Sequence, residues 1–104
     1  MTFTNEAKLL PKSIQEVLNL IGEKAKPKQI LLFGSRARLL ARENSDFDIA
    51  VEGKRCTDLE WSRLLVEIED SPHTLYAIDI VEMEKLGPDY IKQIREEGKV
   101  LAYE

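Results

Sequence analysis

The sequence predicts a β-sheet covered by helices, of the α/β or α+β class, because two hydrophobic periodicities alternate along the chain. Stretches with apolar residues three or four positions apart, typical of helices, are separated by short apolar runs, typical of strands. The resulting order is helix, strand, helix, strand, helix, strand, helix. At 104 residues the chain has the length of one small domain with its own core, which we expect to span residues 1–104.

The first helix is expected to begin at a capping box, in which Ser13 and Glu16 would satisfy backbone donors of the first turn. Pro27 should stop this helix, because proline cannot continue the hydrogen-bonding pattern. One apolar stripe at helical spacing follows the cap and predicts a packing face: Ile14, Val17, Leu18, Ile21 and Ala25.

The short apolar run Gln29–Phe33 predicts a buried strand that enters a tight turn at Gly34. A short helix is predicted next, across residues 36–42, with a turn before Asp46. In the run Asp46–Val51 polar and apolar residues alternate, so we predict a strand whose aspartates share one face.

Thr57 and Glu60 form a second capping-box pattern, and the helix that it opens should end before Pro72. The run Tyr76–Val81 predicts the third strand, with Asp79 inside it.

Gly87 and Pro88 indicate the start of a last helix, and Gly98 is suited to end it. Val100 and Leu101 then predict a short edge strand or a packing tail.

Composition excludes several classes of function. The net charge of −4 and the pI of about 5.1 leave no general basic field to hold nucleic acid stably. Cys56 is the single cysteine, and no apolar run approaches membrane-spanning length. The first residues lack the layout of a signal peptide, so we expect a cytoplasmic protein without a membrane segment.

Asp46 and Asp48 are two apart on a predicted strand, so their carboxylates point the same way, roughly 6.5 Å apart. Their mutual repulsion would be relieved by a divalent cation, and Mg²⁺ bound by carboxylates and substrate phosphates fits this role. Asp79 is expected to supply the third carboxylate if its strand lies alongside. Two Mg²⁺ ions would then serve an in-line displacement, the ion nearer Asp79 preparing the nucleophile.

Gly34 and Ser35 stand at the end of a strand and the start of a helix, which is a favourable place for an anion. Ten residues separate Ser35 from Asp46, so this turn and the carboxylates can face each other across one cleft. Arg36 and Arg38 follow in the first helical turns. They are either phosphate ligands or ordinary surface charges paired with acidic neighbours.

In combination, these residues resemble the signature of the DNA polymerase β nucleotidyltransferase superfamily. Phe33–Arg38 together with Ser45–Val51 look more closely like the minimal nucleotidyltransferases, the MNT-type antitoxins. The third aspartate, the length and the tail Ile94–Glu104 also resemble that family. The family usually has glycine after the position of Arg38, where this chain has Leu39.

This resemblance implies a mixed β-sheet packed by helices, ATP as the nucleotide donor and Mg²⁺ as the cofactor. It assigns phosphate binding to Gly34 and Ser35, both metals to Asp46 and Asp48, and the activating metal to Asp79. Such proteins are commonly encoded beside a helical HEPN-type toxin and can transfer AMP to a tyrosine of that partner. The sequence leaves open whether the chain assembles with this partner or with further copies of itself.

Three hypotheses remain open at this point. The leading one is a nucleotidyltransferase that acts as an antitoxin by adenylylating its toxin. The alternative is a non-catalytic binding module that neutralises the partner by covering it, which the short length, the acidic charge and Leu39 allow. A transferase acting on a small molecule is weaker, because the chain lacks residues for a dedicated small-acceptor pocket.

Overall fold

The computed structural model of the chain describes residues 1–38, 46–71 and 76–104. In chain order the elements are β1 (Thr2–Phe3), α1 (Asn5–Lys8), α2 (Lys12–Ala25), β2 (Gln29–Phe33), α3 (Gly34–Ala37), β3 (Phe47–Glu52), α4 (Asp58–Glu69), β4 (Ile78–Glu82), a 3₁₀ turn (Met83–Lys85), α5 (Pro88–Glu97) and β5 (Lys99–Tyr103). The strands form a mixed sheet in the order β1-β5-β2-β3-β4. β3 and β4 are parallel and the other pairs are antiparallel, which confirms the predicted fold class.

The strands sort their side chains onto two faces, because successive residues of a strand point to opposite sides. One face carries the larger core, which α2 and α4 complete with Ile14, Leu18, Ile21, Trp61, Leu64 and Ile68. The other face carries a smaller core of Leu31, Phe33, Ala50, Met83 and Ile94, which α5 and the 3₁₀ turn cover. Asp48 and Asp79 alternate with the strand residues of the larger core, so they lie on the smaller-core side.

The capping box at the start of α4 is confirmed. The Thr57 hydroxyl accepts a hydrogen bond from the Glu60 N–H at 3.1 Å, and the Glu60 carboxylate accepts one from the Thr57 N–H at 3.0 Å. The capping box predicted at Ser13 is wrong. The helix already begins at Lys12, with Pro11 as its N-cap, so Ser13 lies inside the first turn. The fixed φ of proline suits a helix start without a side-chain cap.

The C-terminal strand does not lie at the edge of the sheet. β5 pairs with β2 on one side and with β1 on the other, and β1 together with α1 was not predicted from the sequence. A register shift beside Ile30 places Leu101 and Ala102 together in the larger core. Thr4 fixes this end of the chain, since its hydroxyl donates to the Val100 carbonyl at 2.8 Å.

The helix predicted across residues 36–42 is seen only in its first part, where α3 spans Gly34–Ala37. Leu39 and the rest of that predicted helix lie outside the described residues, and so does Ser45 in the turn predicted after it. Across the described ranges, no helix has the length and apolar character needed to cross a membrane.

Replacement of Thr57 by alanine tests the cap of α4. We expect Thr57→Ala to lower the free energy of unfolding by about 1 kcal/mol, because the Glu60 N–H loses the hydroxyl that accepts its hydrogen bond. Urea denaturation measures this change. Ser62→Ala, at an exposed position inside the same helix, is the matched control and should change stability far less, since alanine is the better helix former. Equal losses in both variants would contradict the capping role.

Candidate active site

Three aspartates lie at one end of the sheet. Asp48 of β3 is directly in register with Asp79 of the parallel strand β4, so their backbones are about 4.8 Å apart. Asp46 immediately precedes β3 and shares the side of the strand on which Asp48 lies. Asp46 and Asp79 are exposed, and Asp48 is half-buried. Asp48 and Asp79 are therefore cross-strand neighbours at a solvent-accessible edge of the smaller core, and Asp46 precedes Asp48 by two residues on the same side.

Gly34 touches this carboxylate group from the adjacent strand. Phe33, the last residue of β2, is paired with Asp48, and Gly34 then turns the chain with a φ of +72°. A Cβ added to Gly34 would lie 2.3 Å from Oδ2 of Asp48. Glycine is required here for two reasons, a left-handed backbone and the close approach of a carboxylate. The predicted phosphate turn and the predicted metal ligands are therefore in direct contact.

The charge on Asp48 is unfavourably placed. Burial, followed by the negative charges of Asp79 and then Asp46, raises the pKa of the Asp48 carboxyl above its ordinary value. Glu52, at the other end of β3, shows the opposite case. Its hydrogen bond with Arg95 of α5, at 2.5 Å, lowers the pKa of the Glu52 carboxyl. The carboxylate of Glu52 at one end of β3 is therefore neutralised, whereas that of Asp48 at the other end lies near further negative charges.

A cavity of about 340 Å³ opens beside this site, between the end of β2, α3 and α5. Its lining contains four residues singled out from the sequence: Gly34, Ser35, Arg38 and Asp48. α5 contributes the opposite wall with Tyr90, Gln93, Ile94 and Glu97. Sequence analysis did not identify this wall. Its signal is the spacing of three, four and seven residues, which puts these side chains on one helix face, but nothing in the sequence shows which strand end that face meets.

The two arginines of the turn lie in different places. Arg38 lines the cavity, and its Nε atom is 3.8 Å from a carboxylate oxygen of Glu97. The guanidinium of Arg36 instead lies 3.9 Å from the centre of the Phe47 ring, a cation–π contact. Phe47 belongs to the larger core, on the side of β3 away from Asp48. Arg38 therefore shares a cavity with the turn and Asp48, while Arg36 contacts an aromatic ring of the larger core.

The donor chemistry of the three aspartates fits Mg²⁺, which prefers a few carboxylate oxygens together with water and phosphate. Within the part of the chain that the structure describes, no three acidic, histidine or cysteine side chains converge into a ready-made metal site. Such an open arrangement is consistent with like charges that repel one another. It also leaves room for substrate phosphates among the ligands.

Comparison with known protein families identifies the family of this chain. The model of the family described as "Polymerase beta, Nucleotidyltransferase" matches residues 13–104 of this chain. That match includes the glycine-serine turn and all three aspartates. No curated protein sequence is significantly similar to the chain.

Solved structures are similar over most of the chain. One described as a minimal nucleotidyltransferase is 30% identical, with a TM-score of 0.66, and the alignment covers 89% of this chain and 93% of the other. A toxin–antitoxin structure with AMP-PNP is 25% identical, with a TM-score of 0.62 and coverage of 86% and 73%. A toxin–antitoxin structure of MntA–HepT, at 21% identity, TM-score 0.59 and coverage of 89% and 72%, supports the fold alone.

Replacement of Gly34 by alanine tests the contact between turn and carboxylate. We expect Gly34→Ala to cost about 1–2 kcal/mol in unfolding free energy, because alanine resists a positive φ and its Cβ would displace Asp48. Gly87→Ala is the control, since a Cβ there meets nothing within 4 Å. As the N-cap of α5 it should lose only about 0.5 kcal/mol, because alanine is a poorer cap than glycine. Chemical denaturation of both variants decides the point, and similar values would contradict the close approach.

Asp48→Asn should stabilise the protein at neutral pH when a chelator is present. A raised pKa means that ionising Asp48 costs more in the folded than in the unfolded state, so its contribution to stability is lost as pH rises through the folded pKa. Asparagine does not ionise, so the Asp48→Asn variant does not lose this stability as pH rises. Its advantage in Tm should therefore shrink as pH falls towards 3.8, the ordinary value for Asp.

Thermal unfolding from pH 3 to 8 measures this difference. Asp70→Asn, at an exposed position after α4, is the control and should not show the same trend. An Asp48→Asn protein that is less stable than the unchanged protein at pH 7 would refute the unfavourable placement of this charge.

Proposed function

Because the chain belongs to the polymerase β nucleotidyltransferase family, we propose that it transfers AMP from ATP to a hydroxyl group of a partner protein. The acceptor we propose is a tyrosine of a helical HEPN-type toxin, so the chain acts as the antitoxin of a toxin–antitoxin pair. One observation carries the proposal. Gly34 contacts Asp48, and Asp48 is in register with Asp79, which unites the turn and the carboxylates at one strand end.

The similar structures support the choice of donor and partner. The relative at 25% identity is a toxin–antitoxin assembly described with AMP-PNP, an analogue of ATP. The relative at 30% identity is described as a minimal nucleotidyltransferase, and the alignment spans nearly the whole of it. A pair of this kind would work in the cytoplasm, in agreement with a composition that contains a single cysteine.

Each site residue has a role in this reaction. Gly34, Ser35 and Arg38 hold the β- and γ-phosphates beside the cavity, through the backbone of the turn, a hydroxyl and a guanidinium. Arg36 was included in this group on sequence grounds, and its contact with Phe47 makes it a support of the turn in our proposal. Asp46, Asp48 and Asp79 would hold two Mg²⁺ ions, which when bound neutralise phosphate charge and assist loss of the acceptor proton.

The proposed step is a direct displacement at the α-phosphorus. The acceptor oxygen forms a bond to that phosphorus while the bond to the oxygen bridging the α- and β-phosphates breaks, so pyrophosphate leaves. Asp79 lies at the exposed edge of the carboxylate group, where an incoming hydroxyl can reach it and release its proton to solvent. Asp48 lies between Asp79 and Gly34, and therefore between the proposed acceptor and the leaving group.

Aspartate variants test the reaction. The chain is incubated with the partner encoded beside it, Mg²⁺ and ATP, and AMP transfer is followed by intact-protein mass spectrometry. Asp46→Asn and Asp48→Asn should each reduce the transfer rate at least about a hundredfold, because each removes stabilisation worth several kcal/mol at the reacting phosphate. Asp79→Asn should bind ATP but fail to transfer AMP. Asp70→Asn is the control and should react normally, and full transfer by the first two variants would refute the mechanism.

A second candidate function has its own observation. A mostly apolar groove of about 420 Å³ lies between α4 and β4, and it is lined by Leu65, Ile68, Glu69, Tyr76, Ala77, Ile78 and Ile80. Leu59 and Val66 of α4 are also exposed, at 61% and 55%. This surface favours a binding module that neutralises its partner by covering it. If the transfer-deficient aspartate variants still suppress the toxin in cells, covering is sufficient and transfer is not the means of neutralisation.

A further inference from the structure

The cavity beside the carboxylates has two chemically different walls. One consists of Gly34, Ser35 and Arg38, which suit phosphate. The other is the face of α5 that carries Tyr90, Gln93 and Ile94, an aromatic ring, a neutral amide and an aliphatic side chain. A polyphosphate alone would make no favourable contact with the second wall. The base of a nucleotide would, because it has a flat apolar face and a polar edge.

Tyr90 is well placed to offer a surface to a base. Its ring meets that of Phe33 at right angles, with an interplanar angle of 82° and centroids 6.1 Å apart. Phe33 is buried in the smaller core, so this contact fixes one side of Tyr90. The residue is nevertheless 49% exposed, which is unusual for a large aromatic side chain held by the core. It lies in the same cavity as the phosphate turn.

The negative charge of Glu97 also favours the nucleoside, rather than the phosphates, at the α5 wall. Glu97, one turn after Gln93, contributes a carboxylate to this wall and lies 3.8 Å from Arg38. A triphosphate tail placed against α5 would be repelled by Glu97, whereas a neutral base and sugar would not. Arg38, in the phosphate wall, faces Glu97 across the cavity and can bind the phosphates on its own side.

We propose that α5 binds the nucleoside part of the substrate, with Tyr90 stacking on the base and Gln93 hydrogen-bonding to its edge. This inference rests on the proposed function, since it concerns the nucleotide of that same site. Stacking supplies affinity for any base, because every base has a π face. The Gln93 amide carries a donor and an acceptor side by side, the pair that matches an amino group next to a ring nitrogen, as in adenine.

A binding experiment with two ligands distinguishes the contributions of the two walls. The affinities of AMP-PNP and of inorganic tripolyphosphate are measured with Mg²⁺ by calorimetry on the whole protein. Tyr90→Ala should weaken AMP-PNP binding about ten- to a hundredfold and leave tripolyphosphate binding unchanged. Tyr90→Phe should bind AMP-PNP normally, because the ring remains. Tyr103→Ala removes another exposed tyrosine, at 46% exposure, and should alter neither affinity.

Gln93→Ala tests the edge contact. It should keep triphosphate binding while reducing the preference for ATP over the other nucleoside triphosphates in a competition assay. An unchanged preference would overturn the role given to Gln93.

The outcomes distinguish this inference from the proposed function. Equal losses for AMP-PNP and tripolyphosphate in Tyr90→Ala would mean that Tyr90 supports the phosphate wall, which overturns base stacking. An unchanged AMP-PNP affinity in that variant would overturn it as well, while the nucleotide site itself would stand. If the unchanged protein binds neither ligand, the proposed nucleotidyl transfer fails together with the inference.

Discussion

The pairing of β3 with its two neighbours is the constraint on which the site depends. β2 ends opposite Asp48, and β4 brings Asp79 beside the same residue. A slip of one residue in either pairing would send one partner to the opposite face of the sheet. The larger core prevents such a slip, because Phe47, Ile49 and Val51 occupy the alternate positions of β3 and are almost completely buried. Hydrophobic packing on one face thus sets the geometry of the charged group on the other.

The two ends of β3 show how stability and chemistry are divided along a single strand. Glu52 is neutralised by Arg95 of α5, and this ion pair joins the helix to the end of β3 that is away from the site. Asp48 is next to Gly34 and two further carboxylates, an arrangement that costs the folded protein stability. Proteins accept such local conflicts where a ligand is bound. The packing of α2 and α4 onto the opposite face of the sheet offsets the cost.

Several elements could be predicted from the sequence because their signals are local. Gln29–Phe33 is a strand over the predicted residues, and the cap at Thr57 holds with both of its hydrogen bonds. The Ser13 pattern failed because a proline two residues earlier supplies an equally good helix start. β1 is too short to give a periodic signal, and the position of β5 in the sheet depends on pairing with residues far away in the sequence. The α5 wall of the cavity could not be predicted either, because it depends on packing between residues that are distant in the sequence. For Gly34 and Asp48 the sequence predicted that the turn and the carboxylates face one cleft, but not that they are in contact.

The strand order has a consequence for the size of a reactant. β4 ends the order β1-β5-β2-β3-β4, so Asp79 lies on the outermost strand at that side of the sheet. Within the described residues no strand lies beyond β4, so a molecule that approaches Asp79 from that side does not have to enter between two strands. Its bulk can remain outside while a single side chain reaches in. The architecture therefore requires that the reacting group of an acceptor extends as far as Asp79, and it places little restriction on the size of the molecule that carries this group.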